Sequence, residues 1–224
     1  MVITDITKQN SRQDRFNIFI DGNFACGLSS NYILELKIAK GDEITPEELL
    51  KLKHLGLKSL CIENALDYLS YRPRSIKEVK TYLNQKIYKY FQKTNPHASI
   101  RDSEKEKIII EVLDYLKAKD YLSDQKFAQL FISQRLSSSN PKSINYIKSE
   151  LIQKGIDRTL ANEILNVAGQ DGQGDIANAQ KAADYKIRRL PDNSPKSRQK
   201  LARYLLSKGY TWDTISDIID SFSS

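Results

Sequence analysis

The chain has 224 residues, a formal net charge of +7 and 40% hydrophobic residues. This apolar content is enough for a packed core, and no stretch approaches the roughly 20 consecutive apolar residues of a membrane span. Residues 1–61 carry equal numbers of basic and acidic side chains, so the whole positive excess belongs to residues 62–224. Such an excess is expected of a surface that faces phosphates, although an ordinary solvated helical surface gives the same excess.

The first 61 residues predict a small β-containing subdomain. Residues 16–20 and 24–28 alternate between apolar and polar side chains, and Asp21-Gly22-Asn23 lies between them. Alternation at period two around a tight turn predicts a β-hairpin, to which residues 2–7 could add a third strand. Thr45-Pro46-Glu47-Glu48 then opens a helix, with a cap, proline at the first position and glutamate at the third.

Few residues suggest covalent or metal chemistry. Cys26 and Cys61 lack C-x-x-C spacing and are predicted to be reduced, partly buried thiols of a cytosolic protein. His54 and His97 lack partners at ligand spacing, and no glycine precedes a lysine as in a phosphate-binding loop. Residues 102–106 hold the densest carboxylates, which are expected to open a helix. We therefore expect no enzyme, no cofactor and no metal. Residues 1–5 do not resemble a signal peptide, which predicts a cytoplasmic protein.

One phrase occurs three times along the rest of the chain. The pattern P-[RK]-S-x3-[VIL]-x3-L-x2-K covers residues 73–86, 141–154 and 195–208. Its apolar positions step by four, so they lie on one face of a helix. The serines of the phrase, Ser75, Ser143 and Ser197, are predicted N-caps, and Glu78 would complete a capping box in the first copy.

Each phrase lies between two further amphipathic runs. The preceding runs are residues 65–69, 127–132 and 182–187, and the following ones are residues 108–116, 160–167 and 212–222. Asp157, and Thr211 or Asp213, mark helix starts, while Gly155 and Gly209 follow the middle helix as C′ glycines.

We therefore predict a mainly α protein of tandem three-helix repeats in an elongated arrangement, preceded by the β-containing subdomain of residues 1–61. The repeats are residues 62–122, 123–169 and 175–222. The glycine-rich residues 169–174 form a flexible joint by composition. Residues 87–103 are an insertion in the first repeat, which either extends the middle helix or covers a neighbouring face.

Basic residues recur at related places in the three repeats and are the candidate binding residues. Residues 74, 142 and 196 directly precede predicted caps, so their side chains are expected to be largely exposed, where backbone N–H groups could also meet a phosphate. Trp212 and most tyrosines fall at apolar positions and are assigned to the core, although Tyr71, Tyr88 and Tyr90 could instead stack on bases. The candidates are Arg72, Arg74, Lys77, Lys86, Arg135, Lys142, Lys148, Lys154, Arg188, Arg189, Lys196, Arg198, Arg203 and Lys208.

These segments resemble the RecX family of RecA regulators. The resemblance lies in ALDYLSYRPRS at residues 65–75 with Glu78 and Leu83, in YLSD at 121–124 before Phe127-Ala128, and in residues 144–151 before QKGI at 153–156. RFNI at 15–18, with DG at 21–22 and KGD at 40–42, is similar to the N-terminal region of longer members. The chain departs from the family in Ser123, in the missing glycine after Lys86 and in the insertion.

The resemblance implies a regulator and not an enzyme. Members are built of tandem three-helix repeats that bind RecA filaments on single-stranded DNA, and restrain ATP hydrolysis, strand exchange and induction of the SOS response. The implied partners are the RecA filament, single-stranded DNA and also double-stranded DNA. The implied state is a monomer in the cytoplasm. Two other interpretations stay open, a helix-turn-helix DNA-binding protein and a helical scaffold that binds only proteins.

Overall fold

The structure is a computed structural model, and it describes residues 1–10, 14–94, 101–168 and 174–223. It is mainly helical, as predicted, with a small sheet at the N-terminus. The strands are β1 Ile3–Lys8, β2 Arg15–Ile20 and β3 Asn23–Ser29. The helices are α1 Ser30–Glu35, α2 Pro46–Ser70, α3 Ile76–Thr94, α4 Asp102–Ala118, α5 Asp124–Leu136, α6 Ile144–Gln153, α7 Arg158–Ala168, α8 Gly174–Ile187, α9 Pro195–Ser207 and α10 Trp212–Ser223. The chain forms two compact units that divide after Leu122. None of the described helices is long and apolar enough to cross a membrane.

The sheet has the order β1-β2-β3 with both pairs antiparallel, so the predicted hairpin and third strand are confirmed. Asp21 and Gly22 both have positive φ, at 49° and 79°, as a tight turn between twisted strands requires. Cys26 lies opposite Ile18, and both are buried against Leu52 of α2. Helix α2 therefore covers the face of the sheet that carries Ile18 and Cys26.

Helix α2 belongs to both the N-terminal subdomain and the first repeat. Thr45 caps it with Glu48 in a capping box and Pro46 follows the cap, which confirms the predicted start. The helix then continues without a break for 25 residues. Its first half packs on β3, and its second half packs on α3 and α4. Position 61, where the sequence suggests a domain boundary, thus lies inside a continuous helix.

A buried arginine holds β2 against α2. The Arg15 side chain is 4% exposed, and its guanidinium donates to Ser59 Oγ at 2.9 Å and to Glu63 Oε1 at 2.7 Å. It also donates to the carbonyl oxygens of Gly27 and Gly56, at 2.7 and 3.1 Å. Buried charge costs free energy unless it is paired and hydrogen-bonded, and these four acceptors meet that requirement.

The insertion in the first repeat extends the middle helix. Helix α3 reaches Thr94, and Ile87 is fully buried while Tyr90 and Phe91 pack against the core of the repeat. Of the insertion at residues 87–103, residues 87–94 therefore extend α3 and also cover the core of the repeat, and residues 102–103 begin α4. The predicted turn at Asn95-Pro96 and His97 lie outside the described residues.

The repeat register is confirmed by the cores of the three repeats. Leu83, Leu151 and Leu205 occupy the same position of the repeated phrase, and each is 0% exposed. Gly155 and Gly209 have φ values of 90° and 87°, which suits their predicted place just after the middle helices.

The helix caps agree with the prediction in two repeats and differ in the third. Ser75 and Glu78 form the predicted capping box, and Ser143 Oγ accepts from the Tyr146 N–H. In the third repeat the prediction is wrong, because Ser194 is the N-cap with a proline directly after it. The hydroxyl of Ser197 lies inside the first turn and donates to Asp192 Oδ1 at 2.6 Å.

The second and third repeats form one compact unit and contact each other directly. The Ser143 N–H donates to the Lys208 carbonyl oxygen at 3.0 Å, and the Ile144 N–H donates to Asp175 Oδ1 at 3.0 Å. The Tyr210 hydroxyl donates to the Pro141 carbonyl oxygen, also at 3.0 Å. Of the predicted flexible joint at residues 169–174, residues 169–173 lie outside the described residues and Gly174 begins α8. The three hydrogen bonds above dock the two repeats.

Candidate nucleic-acid interface

Each repeat places an aromatic ring at the same position of its first helix. Tyr68, Phe131 and Tyr185 are these rings, and all are half-buried. The guanidinium carbon of an arginine lies over each ring, at 3.9 Å for Arg74 on Tyr68, 4.7 Å for Arg135 on Phe131 and 3.7 Å for Arg189 on Tyr185. A planar guanidinium stacks well on an aromatic face, and the contact holds the cation in place.

A second ring and the last lysine of the phrase add to this arrangement. Lys86 Nζ and Lys208 Nζ each lie 5.2 Å from the ring centre of Tyr82 and Tyr204, which are equivalent residues of α3 and α9. In the second repeat Glu150 replaces this tyrosine, and the lysine, Lys154, lies 5.7 Å from the Phe131 ring instead. We call these three groups of cations and rings the cation–aromatic clusters.

The first cluster is a stacked row. The Tyr68 and Tyr82 rings are parallel within 4°, with centres 4.0 Å apart, and Arg74 and Lys86 lie over them. Nearby, Arg72 donates to Glu78 at 2.9 Å and keeps a side chain that is 45% exposed. Positive charge therefore extends from the turn before α3 along that helix.

The second cluster is partly neutralised by one carboxylate. Glu150 accepts from Arg135 Nε at 3.0 Å and from Lys142 Nζ at 2.8 Å. Lys142 Nζ also lies 3.9 Å from the Tyr146 ring centre, and its side chain is only 23% exposed. Arg135 remains 42% exposed, so it can still reach a phosphate from this position.

Lysines of two repeats approach each other where the second and third repeats dock. The pKa of Lys208 is lowered mainly by partial burial, and to a smaller extent by the neighbouring positive charge of Lys142. Lys186 Nζ lies 5.2 Å from the Tyr204 ring, at the same distance as Lys208 Nζ, and the Tyr204 hydroxyl donates to Asn140 Oδ1. An anion would relieve the repulsion between these like charges, which makes the junction a favourable place for a phosphate group.

Only some of the predicted binding residues lie in the cation–aromatic clusters. Lys196 is exposed as predicted, but the prediction is wrong for Arg74 and Lys142, which are half-buried because a ring or a carboxylate holds them. The clusters bring together seven of the candidates, namely Arg74, Lys86, Arg135, Lys142, Lys154, Arg189 and Lys208. Within the described chain, no ring contact or ion pair places Lys148, Arg188, Lys196 or Arg203 in them.

The structure agrees with the core assignment for some aromatic residues and not for others. Tyr90 packs against the core as assigned, whereas Trp212 is 59% exposed, so its assignment to the core is wrong. Tyr71 and Tyr88, at 82% and 64% exposed, remain available for stacking on bases. The cluster rings were not predicted as cation partners, although aligning the first helices of the repeats shows an aromatic residue at one position each time.

The described residues contain no group of three His, Cys, Asp or Glu side chains placed to hold a metal ion. His54 Nε2 lies 3.0 Å from Glu111 Oε2, which also pairs with Lys58. Burial raises the pKa of the Cys26 thiol to about 11 and that of Cys61 to about 12, so both stay protonated and unreactive at neutral pH. The buried, free thiols agree with the sequence-based interpretation.

Comparisons with known proteins agree with this architecture. Four family models match, described as the regulatory protein RecX N-terminal domain at residues 1–45 and the first, second and third three-helix domains of RecX at residues 61–89, 123–165 and 173–219. A regulatory protein RecX of Bacillus licheniformis is 31% identical over 215 residues, which cover 96% of this chain and 74% of that protein. One from Clostridium botulinum is 28% identical and covers 97% and 94% of the two chains.

A solved structure shows the same fold. The crystal structure of a regulatory protein RecX superposes with a TM-score of 0.64 at 20% identity, covering 98% of both chains. At that identity the likeness speaks for the fold alone. The curated relatives are named as regulatory proteins.

Proposed function

The chain belongs to the RecX family of regulatory proteins, and from this we propose that it binds the RecA filament on single-stranded DNA and restrains its ATP hydrolysis and strand exchange. The fit of the repeats to this role lies in the cation–aromatic clusters. Similar clusters at equivalent positions of three repeats present one kind of contact several times, which suits a partner that is itself repetitive. Contacts linked in one chain gain from high effective concentration.

The chemistry of the clusters suits a nucleic-acid backbone. Arginine and lysine contact phosphates without reading sequence, and such contacts position a protein on DNA. Exposed rings such as Tyr71, Tyr88 and Trp212 can stack on the unpaired bases of a single strand. We propose sequence-tolerant binding to single-stranded DNA, with double-stranded DNA as a further ligand.

Inhibition would follow from preference for one state of the filament. A ligand shifts an equilibrium only by its differential affinity for the two states, so a protein that binds the less active filament more tightly lowers ATP turnover. No catalytic step by this chain is needed. Restraint of RecA would also damp induction of the SOS response in the cytoplasm, where we propose that the chain acts as a monomer.

The test is RecA-dependent ATP hydrolysis on single-stranded DNA with increasing amounts of this protein. We expect the rate to fall at or below stoichiometric levels. A triple variant of the last lysine of each phrase, Lys86→Ala with Lys154→Ala and Lys208→Ala, should inhibit less. The matched control replaces the exposed lysines 107, 119 and 181 with alanine. These three lie outside the clusters, and their replacement removes the same net charge.

The outcomes separate the proposal from its rivals. If the control triple weakens inhibition as much as the cluster triple, net charge and not placement drives binding. If ATP hydrolysis is unchanged by folded protein, the RecA proposal is wrong. Protection of one specific duplex sequence would instead favour a helix-turn-helix reader, and inhibition without any DNA binding would favour a protein-only scaffold.

A further inference from the structure

A groove of about 410 Å³ opens in the N-terminal subdomain, outside the repeats on which the proposed function rests. Its walls are β1, the connection between α1 and α2, and the first turns of α2. The floor is aliphatic, formed by Ile3, Ile38, Ile44, Leu52 and Leu55. Leu36 stands at the edge and is 43% exposed. Exposed aliphatic surface that lines a concavity is typical of interaction sites.

The rim of this groove is acidic. Asp42, Glu43 and Glu48 line it, with Lys51 as the basic lining residue. Acidic residues thus outnumber basic ones in the lining by three to one, in a chain whose net charge is +7. The groove therefore faces its surroundings with a charge opposite to that of the repeats.

Two of the rim carboxylates accept hydrogen bonds from backbone N–H groups. Asp42 Oδ2 accepts from the Ala39 N–H at 2.7 Å. The Glu48 carboxylate accepts from the Thr45 N–H at 2.8 Å, and its hydrogen bonds to Thr45 lower its pKa. The backbone thus fixes the positions of these two acidic side chains on the rim.

We propose that this groove docks an aliphatic segment of a partner protein in which lysines or arginines flank the apolar side chains. The floor offers only apolar contact, and the polar groups stand on the rim, where they meet a flanking cation. A small-molecule site would place polar groups so that they fix the orientation of the ligand inside the pocket. A phosphate backbone or an anionic bilayer would be repelled by the same rim. An amphipathic helix binds such a groove by laying its apolar face into it. Cations beside that face would pair with the acidic rim.

The probe is a fluorescein-labelled peptide in which leucines one helical turn apart are flanked by lysines, titrated with the full chain in fluorescence anisotropy. We expect saturable binding, and no binding of peptides with glutamate in place of lysine or serine in place of leucine. Leu36→Glu and Glu43→Lys should each weaken binding at least about tenfold. The matched controls, Leu34→Glu and Glu47→Lys, change exposed neighbours that do not line the groove and should bind as wild type.

All four substitutions change exposed side chains, so we expect each variant to fold. Circular dichroism melting checks this. Equal affinity of all variants would overturn the proposal, as would equal binding of the glutamate peptide. Self-association of the chain that Leu36→Glu abolishes, seen by analytical ultracentrifugation, would also overturn it by showing that a second copy fills the groove. Failure of RecA inhibition leaves this test unaffected, because its readout does not involve RecA or DNA.

Discussion

At the scale of a residue, Gly209 shows how one hydrogen atom in place of a side chain permits two repeats to dock. Its φ is +87°, and an added Cβ would lie 2.7 Å from Ser143 Oγ and 2.9 Å from Tyr146 Cβ. Both the backbone conformation and the close approach of α6 therefore exclude larger residues at this position.

We expect Gly209→Ala to lower the free energy of unfolding of the second unit by about 2 kcal/mol or more, because strain and a steric clash add. Gly41→Ala is the matched control, since Gly41 has φ +96° with nothing within 4 Å of an added Cβ. It should cost only the backbone strain of about 1 kcal/mol. Urea unfolding measures both, and equal losses would show that the contact with α6 is not tight.

Asp175 also holds the second and third repeats together, through its bond from the Ile144 N–H. Burial raises the pKa of its carboxyl group, and this hydrogen bond opposes the shift. A raised pKa in the folded state means that the group favours folding below the unfolded pKa of about 3.9, and that this contribution is lost as pH rises through the folded pKa. The buried charge is therefore unfavourable at neutral pH.

We expect Asp175→Asn to be at least as stable as wild type at pH 7, because the amide oxygen still accepts from Ile144 without a buried charge. Its advantage should shrink as pH falls towards 4. Asp175→Ala should be less stable than wild type at both pH values, since it leaves the Ile144 N–H without its acceptor. Thermal melts across pH measure this, and an advantage of Asn that grows on acidification would contradict the assignment.

At the scale of an element, the sequence determines helices well where their signals are local. Ser75, Ser143 and Thr45 form their predicted caps because a cap bonds to N–H groups two or three residues away. Ser197 failed as a cap because Ser194 and Pro195 supply a better start, with proline at the first helical position. Ser194-Pro195 is visible in the sequence as a helix start, but the position of the serine in the other two repeats favoured Ser197 instead.

Contacts between distant segments could not be predicted in this way. The bond from Ile144 to Asp175 and the stacking of Arg74 on Tyr68 depend on how helices pack. Exposure of Trp212 likewise depends on which face of α10 meets the core. The repeated phrase therefore predicted the helices and their apolar faces, whereas the cation–aromatic clusters and the groove required the folded arrangement.

The repeat register gives an element-scale prediction. Leu83, Leu151 and Leu205 are fully buried at one position of α3, α6 and α9. We expect each Leu→Ala substitution to cost about 2–5 kcal/mol, through lost apolar burial and a cavity. Leu130→Ala is the control, because Leu130 lies on α5 and is 49% exposed. Near-zero losses at the three buried positions in chemical unfolding would contradict the packing.

At the scale of the whole molecule, the chain should unfold in two separable steps, because its two units have their own cores. Both cysteines lie in the first unit and the single tryptophan lies in the second. Thiol labelling in guanidinium should therefore follow the first unit, and tryptophan emission the second. Coincident midpoints for the two probes would indicate that the units unfold together.

The placement of charge gives a second prediction at this scale. We expect affinity for a labelled oligonucleotide to fall with salt, with a log–log slope that grows by about 0.7 for each phosphate contacted on a single strand. The triple lysine variant should show a shallower slope, by up to about 0.7 for each lysine removed. A slope unchanged from wild type would show that these lysines do not touch phosphates.

Helix α2 sets a distance within the first unit. Glu48 on the rim of the groove and Tyr68 of the first cluster lie on this one uninterrupted helix. At a rise of about 1.5 Å per residue, they are about 30 Å apart along its axis. The helix acts as a rigid spacer, because no loop between the two sites can absorb a mismatch. A partner that engages both sites must therefore present its own two sites at that separation, and a deletion of two residues from the middle of α2 would turn one site by about 200° away from the other.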